Sequence, residues 1–145
     1  MTTILILNGP NLNMLGQREP EIYGTQTLQD IEILCLEVSR DLGFQVIFKQ
    51  SNHEGVLVDW IQEAMDQCSG VIINAAAYTH TSVAIHDALK LLSIPVLEVH
   101  LSEPKEREEF RHHSYIEPVA RCCISGQGAQ GYKLALEEMY RILKG

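Results

Sequence analysis

The sequence predicts an α/β protein built on a doubly wound sheet of five parallel strands, with helices on both faces in three layers. Apolar runs rich in Val, Ile and Leu alternate along the chain with amphipathic segments. The runs are almost uniformly apolar, which is typical of strands buried on both faces of a parallel sheet. Parallel strands need crossover connections, usually helices, so the alternation of the two kinds of segment favours this fold class.

Five segments are predicted to be strands. The first, TILIL at residues 3–7, ends at the turn NGP. The other four are FQVIFKQ (44–50), GVIINAAA (70–77), IPVLEVHL (94–101) and PVARCCISG (118–126). Five strands favour the flavodoxin-like order 2-1-3-4-5, although the order itself does not follow from the pattern.

Four segments are predicted to be helices, at residues 27–42, 56–68, 82–92 and 129–143. Apolar residues line one stripe of the first helix, and Gly43 follows it as a stop signal. Thr27 with Asp30 predicts an N-cap for the first helix, and Ser51 with Glu54 predicts one for the second.

Length and composition are those of one domain spanning residues 1–145, without repeats or a linker. Hydrophobic residues make up 46% of the chain and charged residues 21%, which disfavours disorder. The net charge of −8 argues against nucleic acid as a partner, because binding it needs basic patches. A small anionic substrate is not excluded, since a few arginines can dominate the local field.

The cysteines and the apolar runs indicate a cytoplasmic protein without a membrane segment. The chain has four cysteines and no CxxC pair, and the adjacent Cys122 and Cys123 face opposite ways on a strand. We interpret all four as small apolar residues in a reducing compartment rather than as metal ligands. No apolar run approaches the ~20 residues of a membrane span. We expect no signal peptide, because the first strand has neither a basic lead nor a cleavage site.

Polar and ionisable residues follow the predicted strands at one edge of the sheet. Ligands bind outside the carboxyl ends of the strands in such sheets, so we expect a site there. The set consists of Asn8, Asn11, Arg18 and Tyr23 after the first strand, Asn74, Tyr78, His80 and Ser82 after the third, and His100 and Ser102 after the fourth.

The asparagine-rich turn NGPNLN (8–13) does not have the glycine spacing of a dinucleotide-binding or P-loop motif, which disfavours a nucleotide site. Asparagines offer neutral donors and acceptors that suit a carbonyl, an enolate or a bound water. The alternative is turn formation by Asx hydrogen bonds, which accounts for one asparagine more easily than for three.

Glu98 and His100 alternate onto one side of an otherwise apolar strand. A buried carboxylate beside a histidine can fix its tautomer and keep it protonated, which makes an orienting group and a general acid. A structural ion pair is the alternative.

His80 precedes a helix and either donates to a ligand hydroxyl or caps the helix. On that helix we expect His86 to be solvated, and Asp87 to be solvated or to reach a neighbouring subunit.

The segment REEFRHHSY (107–115) is charged, and such a run is usually a solvated face. Arg111 nevertheless lies within reach of the same sheet edge, and a guanidinium recognises carboxylates. The adjacent His112 and His113 have no carboxylate cluster beside them in the sequence, so a metal site there is disfavoured.

Four motifs, NGPNLNMLGQREPEIYG, NAAAYTHTS, EVHLSE and REEFRHHSY, occur in this order, and together they resemble the type II 3-dehydroquinate dehydratases. The resemblance covers the chain from Ile4 to about Leu143. It implies a flavodoxin-like fold, a homododecamer built as a tetramer of trimers, and no metal or cofactor. It also implies the reaction, in which 3-dehydroquinate loses a C2 proton next to its ketone and forms an enolate. Departure of the C1 hydroxyl with anti geometry then gives 3-dehydroshikimate.

The resemblance assigns proton-transfer roles to five residues. It implies that Tyr23 is the base, that Arg18 stabilises its tyrosinate and that His100 is the acid for the leaving hydroxyl. Glu98 is implied to orient His100, and Asn11 to hold the water that supports the enolate. A free tyrosine has a pKa of about 10 and is a poor base at neutral pH, so a nearby guanidinium is needed to stabilise the tyrosinate. The long polar segment that carries this pair is expected to close over the substrate as a lid.

The resemblance implies substrate contacts for six further residues. Hydroxyls and the carboxylate are expected to bind Asn74, His80, Ser102 and the backbone of Leu101. Arg111 is expected to bind a ring hydroxyl, and Asp87 to serve the site of a neighbouring subunit.

Three residues depart from the commonest pattern of the family. Ala75 stands where a proline usually follows the asparagine, and it is expected to loosen the backbone that aims Asn74. His86 stands where an arginine is usual and weakens the inference about Asp87. Glu103 stands where an asparagine is usual and is expected to add negative charge near an anionic substrate.

Two other classes of function compete with an enzyme. A non-catalytic flavodoxin-like binding or regulatory module needs neither a base nor an acid, so the set of Arg18, Tyr23 and His100 argues against it. A flavin or nucleotide carrier would have a phosphate-binding loop after the first strand. Within the enzyme interpretation, the sequence does not separate a biosynthetic role in the shikimate pathway to chorismate and aromatic amino acids from a catabolic role in quinate use.

Overall fold

A five-stranded parallel sheet forms the centre of the computed structural model, which describes residues 1–17, 19–23 and 25–145, without the side chains of Pro20 and Tyr23. The strands are β1 (Thr3–Asn8), β2 (Gln45–Gln50), β3 (Gly70–Asn74), β4 (Val96–Val99) and β5 (Cys122–Ile124). They lie in the order β2-β1-β3-β4-β5, and every neighbouring pair is parallel. The predicted flavodoxin-like order is therefore confirmed.

Helices cover both faces of the sheet, which confirms the three-layer prediction. They are α1 (Pro20–Tyr23), a single turn, α2 (Leu28–Leu42), α3 (Glu54–Gln67), α4 (Val83–Lys90) and α5 (Gln130–Lys144). One core cluster lies between the sheet and α2 with α5, and a second lies between the sheet and α3 with α4. No helix in the described ranges is long and apolar enough to cross a bilayer.

The start of α2 agrees with the sequence, and the start of α3 does not. The Thr27 hydroxyl accepts from the Asp30 N–H at 3.1 Å while the Asp30 carboxylate accepts from the Thr27 N–H at 3.0 Å, which completes a capping box. The predicted N-cap at Ser51 is wrong, because the Ser51 hydroxyl accepts from the N–H of His53 at 3.0 Å. His53 is the residue that precedes α3, and its side chain makes no cap.

Four strands are shorter than predicted, β2 by one residue and β3, β4 and β5 by more. β3 ends at Asn74, because the alanines that follow enter a 3-10 helix (Ala76–His80). β4 loses two residues at each predicted end. Before β5, a 3-10 turn (Glu117–Val119) occupies residues predicted to be extended. Pro118 sits in the first turn of that helix, where its missing N–H is not needed.

Candidate active site

Two cavities meet at the carboxyl edge of the sheet. The smaller, of about 50 Å³, is lined at its base by the ends of β1, β3 and β4. The larger, of about 390 Å³, lies toward β5. Four residues line both cavities and form the wall between them, namely His80, His100, Pro104 and Arg111. Polar residues predicted at this edge of the sheet therefore line a concave surface with two compartments.

Glu98 and His100 form a buried pair in that wall. Both face the same side of the sheet because they lie two residues apart, and they are only 1% and 7% exposed. Nε2 of His100 lies 2.5 Å from Oε2 of Glu98, so the ring and the carboxylate share a short hydrogen bond. The backbone N–H of His100 donates to the backbone carbonyl of Ile124 at 2.9 Å, and this bond joins the end of β4 to β5. The predicted pairing of these two side chains is confirmed.

Ser114 completes the surroundings of the Glu98 carboxylate, and nothing in the local sequence pattern pointed to it. Its hydroxyl donates to Oε2 of Glu98 at 2.8 Å and accepts from the N–H groups of Ile116 and Glu117 at 3.1 and 3.0 Å. The other oxygen, Oε1 of Glu98, is buried and has no hydrogen-bond partner among the described residues.

A chain of buried hydrogen bonds joins the ends of β1 and β3 to α5. The Tyr132 hydroxyl donates to Oδ1 of Asn8 at 2.7 Å and accepts from Nδ2 of Asn74 at 3.0 Å. Asn8 in turn donates through Nδ2 to the carbonyl of Lys49 at 3.0 Å. Tyr132 is fully buried, and burial raises the pKa of its phenol, so the hydroxyl stays neutral and can serve as both donor and acceptor.

Hydrogen bonds hold Asn74 on three sides. Its Oδ1 accepts from the N–H of Ala76 at 3.2 Å, and its carbonyl accepts from the N–H of Gly9 at 2.8 Å. Ala75 itself is buried in the core beside α3 and α4. Ala76 has a φ of +52°, a left-handed conformation that is uncommon for a residue with a side chain. These contacts hold Asn74, and the expectation that Ala75 loosens this backbone stays a prediction.

Gly9 allows β1 and β3 to approach closely next to Asn74. A Cβ at this position would lie 2.3 Å from the carbonyl oxygen of Ala75, which is backbone and has no rotamer to change. Only glycine fits here without displacing the Asn74–Ala75 backbone.

His80 is half-buried and lines both cavities. Its Nδ1 lies 2.8 Å from the carbonyl of His113 and donates to it. Burial lowers the pKa of His80 below its ordinary value, and the hydrogen bond to the His113 carbonyl opposes this effect only in part. The neutral ring then leaves Nε2 as an acceptor for a hydroxyl.

The loop after β1 brings Asn11 to the smaller cavity. Asn11 has a φ of +69°, which asparagine tolerates better than most residues. Its N–H donates to Oδ1 of Asn52 at 3.0 Å, and Nε2 of Gln50 donates to the same oxygen at 3.1 Å. Asn52 is therefore a supporting residue that the sequence reasoning missed.

Two arginines line the smaller cavity, of which the sequence reasoning selected one. Nε of Arg111 donates to Oε1 of Glu108 at 2.9 Å, and its guanidinium stacks 5.0 Å from the ring centroid of Phe110. Arg107 was missed. Its Nη1 donates to the Ser102 hydroxyl at 3.4 Å, and Ser102 and Leu101 line the same cavity.

The other two departures from the family pattern lie away from the smaller cavity. His86 is half-buried, and its Nδ1 donates to the carbonyl of Tyr115 at 2.7 Å, so the prediction that it is solvated is wrong. Glu103 lines the larger cavity and is not among the described residues that line the smaller one. A hydrogen bond from Ser125 lowers the pKa of the Glu103 carboxyl, and a bond from the Lys105 N–H adds to it.

The adjacent cysteines face opposite sides of the sheet, as predicted. Cys122 packs against the core beside α2 and α5. Cys123 lies on the other side, exposed at the larger cavity and next to Glu98. Its interpretation as an apolar residue is therefore wrong. Partial burial of the thiol, and then the charge of Glu98, raise the pKa of Cys123 to about 12.

The two adjacent histidines have structural contacts. Nε2 of His112 donates to the carbonyl of Arg107 at 3.0 Å, and the His113 ring meets the Tyr115 ring edge-on at 4.5 Å. Within the part of the chain that the structure describes, neither belongs to a cluster of metal-ligating groups.

Three of the predicted site residues are not seen at the cavities. Arg18 and the side chain of Tyr23 lie outside the described residues. Asp87 is exposed on α4 and is not among the described residues that line either cavity.

Comparisons with known proteins identify what this chain resembles. A family model described as dehydroquinase class II matches residues 2–140. The 3-dehydroquinate dehydratase 1 of Agrobacterium fabrum is 56% identical over 139 residues, which are 96% of each chain. The 3-dehydroquinate dehydratase of Rhizobium etli is 57% identical over 140 residues, which are 97% of each chain. The crystal structure of type II dehydroquinase from Propionibacterium acnes is 45% identical, covers 97% of both chains and has a TM-score of 0.94.

Proposed function

The chain belongs to the class II dehydroquinase family and is a type II 3-dehydroquinate dehydratase, a hydro-lyase of the shikimate pathway, and we propose that the two-compartment edge of its sheet is where the reaction occurs. In this proposal 3-dehydroquinate binds in the smaller cavity. A C2 proton leaves first, an enolate forms, and the C1 hydroxyl then departs with anti geometry.

The observation that carries this assignment is the buried pair of Glu98 and His100. A histidine held at 2.5 Å by a carboxylate is fixed in orientation and can deliver a proton in one direction only. His100 borders the smaller cavity, so its proton can reach a hydroxyl that leaves from a substrate bound there. We therefore assign His100 as the acid and Glu98 as the group that orients it.

The first proton transfer is assigned to Tyr23 as base, with Arg18 stabilising the tyrosinate. This part of the proposal rests on the family resemblance. It is supported by the position of residues 10–12, which line the smaller cavity just before the segment that carries both groups. Asn11 is assigned to the water that supports the enolate oxygen.

Substrate binding is assigned to the remaining polar lining. Asn74, His80, Ser102 and the backbone of Leu101 would hold hydroxyls and the carboxylate, and Arg111 a ring hydroxyl. We add Arg107 to this set, because its guanidinium lines the same cavity. Two guanidinium groups at the cavity supply the local positive charge that an anionic substrate needs in a chain of net charge −8.

The proposal extends to the assembly. We propose that residues 1–145 form a single catalytic domain, that the enzyme is a cytoplasmic homododecamer of four trimers, and that Asp87 serves a neighbouring site. The exposed position of Asp87 on α4 supports a role across subunits. The test is to reassemble inactive Tyr23→Phe subunits with inactive Asp87→Asn subunits. Recovery of activity in the mixture supports contribution across subunits, and no recovery contradicts it.

The function is tested by the absorbance of the conjugated enone product when metal-stripped protein is mixed with 3-dehydroquinate. A rise that survives chelator and borohydride indicates a dehydration that needs neither a metal nor an imine to lysine. Tyr23→Phe should abolish turnover and leave substrate binding largely intact, while Tyr140→Phe on the surface of α5 serves as the control. Near-normal turnover of Tyr23→Phe would remove Tyr23 from the mechanism, and no absorbance rise from folded wild-type protein would favour the non-catalytic binding module.

A further inference from the structure

We propose that Glu98, His100 and Cys123 form a binding site for Zn²⁺ or a similar divalent transition metal, and that an ion bound there switches the dehydratase off. The three side chains lie on one face of two neighbouring strands. Glu98 lies on β4, His100 follows the last residue of that strand, and Cys123 is the register partner of Glu98 on β5. Each offers one donor atom, and these atoms all lie within 4.8 Å of one another.

The hydrogen bonding of Glu98 is an independent indication of a missing partner. Oε2 receives both the His100 ring and the Ser114 hydroxyl, whereas Oε1 is buried with no partner among the described residues. A buried carboxylate oxygen without a donor is unfavourable, and more so when the group is charged. A cation coordinated by Oε1 would remove that cost.

The donor set favours zinc-like ions over magnesium or calcium. One thiolate, one imidazole and one carboxylate, with a fourth position left to water, match the composition of three-ligand zinc sites. Magnesium and calcium prefer oxygen ligands and would bind weakly here. Metal–ligand distances of about 2.0–2.3 Å place tetrahedral donors roughly 3.5 Å from one another. The widest donor separation, which is at most 4.8 Å, must therefore narrow on binding, while the 2.5 Å contact between His100 and Glu98 must widen.

The site is open to solvent from the side away from the smaller cavity. Cys123 is exposed on the short edge strand β5 and lines the larger cavity of about 390 Å³, which has room for a hydrated ion. On binding, the Cys123 thiol proton and the Nε2 proton of His100 pass to solvent, and the ion replaces the hydrogen bond between Glu98 and His100. The ring then keeps a proton on Nδ1 only. Giving up that proton would leave an imidazolate, so His100 is too weak an acid for the leaving hydroxyl and turnover stops. This last step rests on the proposed role of His100 as the acid.

Binding is tested with Co²⁺ as a spectroscopic probe, which needs no turnover and so stands apart from the proposed function. We expect one Co²⁺ per chain and a thiolate-to-cobalt charge-transfer band in the near ultraviolet. The band should be lost in Cys123→Ser and Cys123→Ala and retained in Cys122→Ser, the adjacent thiol on the opposite face of the sheet. Absence of the band from the wild type, or its persistence in both Cys123 variants, overturns the site.

Inhibition is tested by zinc titration, with each variant compared to its own metal-free rate. The zinc concentration that halves activity should rise at least tenfold in Cys123→Ser and stay unchanged in Cys122→Ser. A tenfold rise supports the switch. Equal zinc sensitivity of wild type and Cys123→Ser, or full activity with the ion bound, overturns it.

Discussion

The hydroxyl of Ser114 lies 2.8 Å from Oε2 of Glu98 and donates a hydrogen bond to it. The bond joins the loop between β4 and β5 to a buried residue of β4 that lies 16 positions earlier. Because the same carboxylate oxygen holds the His100 ring, Ser114 limits how far the Glu98 carboxylate can rotate. Ser114 is not among the described residues that line the smaller cavity, yet the orientation of the proposed acid depends on it.

Ser114→Ala should lower kcat about tenfold and change KM less, because a hydrogen bond to a charged group contributes about 1.5–3 kcal/mol. Steady-state kinetics on 3-dehydroquinate measures the effect. Ser114→Thr retains the hydroxyl and is the matched control. Equal loss of activity in both variants, with unchanged melting temperatures, would show that the hydrogen bond from the Ser114 hydroxyl does not support catalysis.

Tyr132→Phe should destabilise the protein by about 2 kcal/mol, because it leaves two buried amide groups without their hydrogen-bond partner. We also expect KM to rise several-fold, since Asn74 loses one of its fixed contacts. Urea unfolding and steady-state kinetics provide the two measurements. Tyr140→Phe, on an exposed position of the same helix, should stay within about 0.5 kcal/mol of the wild type. Wild-type values for Tyr132→Phe would mean that the hydrogen-bond chain does not position Asn74.

Gly9→Ala should cost about 3 kcal/mol of stability, because the added Cβ would meet the Ala75 carbonyl oxygen at 2.3 Å. It should also lower activity, since relief of the clash moves the backbone at Asn74. Gly55→Ala is the contrasting change in α3, where no described atom outside the helix's own backbone lies within 4 Å of the new methyl group. That variant should be equally stable or up to about 1 kcal/mol more stable. Chemical denaturation compares the two, and similar stabilities would contradict the close approach.

His80 should titrate below its ordinary value near 6.5 and carry its proton on Nδ1 at neutral pH. Between the folded and the ordinary pKa, the unfolded chain binds more protons, so the free energy of unfolding rises with pH through that window and levels off above it. His80→Asn can still donate to the His113 carbonyl but should lose this slope. Long-range nitrogen–proton NMR and urea unfolding at several pH values measure the two effects. A His80 ring that titrates above 6.5, or a slope unchanged in His80→Asn, would contradict the burial argument.

The parts of the fold that depend on local sequence were predictable. The apolar strand at residues 3–7 and the capping box of Thr27 and Asp30 are both present in the structure. The predicted cap at Ser51 was wrong because the Ser51 hydroxyl accepts from a closer backbone donor, the N–H of His53. The end of β3 was missed because the alanine run was taken as part of the apolar strand, although alanine favours helices and is depleted in strands.

The supporting residues of the site were not predictable, because they arise from contacts between distant segments. Ser114 reaches Glu98 across 16 residues, and Tyr132 reaches Asn74 across 58. The position of Cys123 beside Glu98 depends on the register between β4 and β5, which no periodicity encodes. The sequence could place polar residues at one edge, but it could not show which of them support the others.

The hydrogen bond between Tyr132 and Asn8 joins residues 124 positions apart and therefore sets an order of assembly during synthesis. The first strand is made early, yet the asparagine at its end acquires its buried partner only when the last helix has been translated. A nascent chain can form local helices and begin pairing strands before that point. It cannot complete the edge that holds Asn74, so the reaction centre should mature last, after the C-terminal helix has left the ribosome and docked.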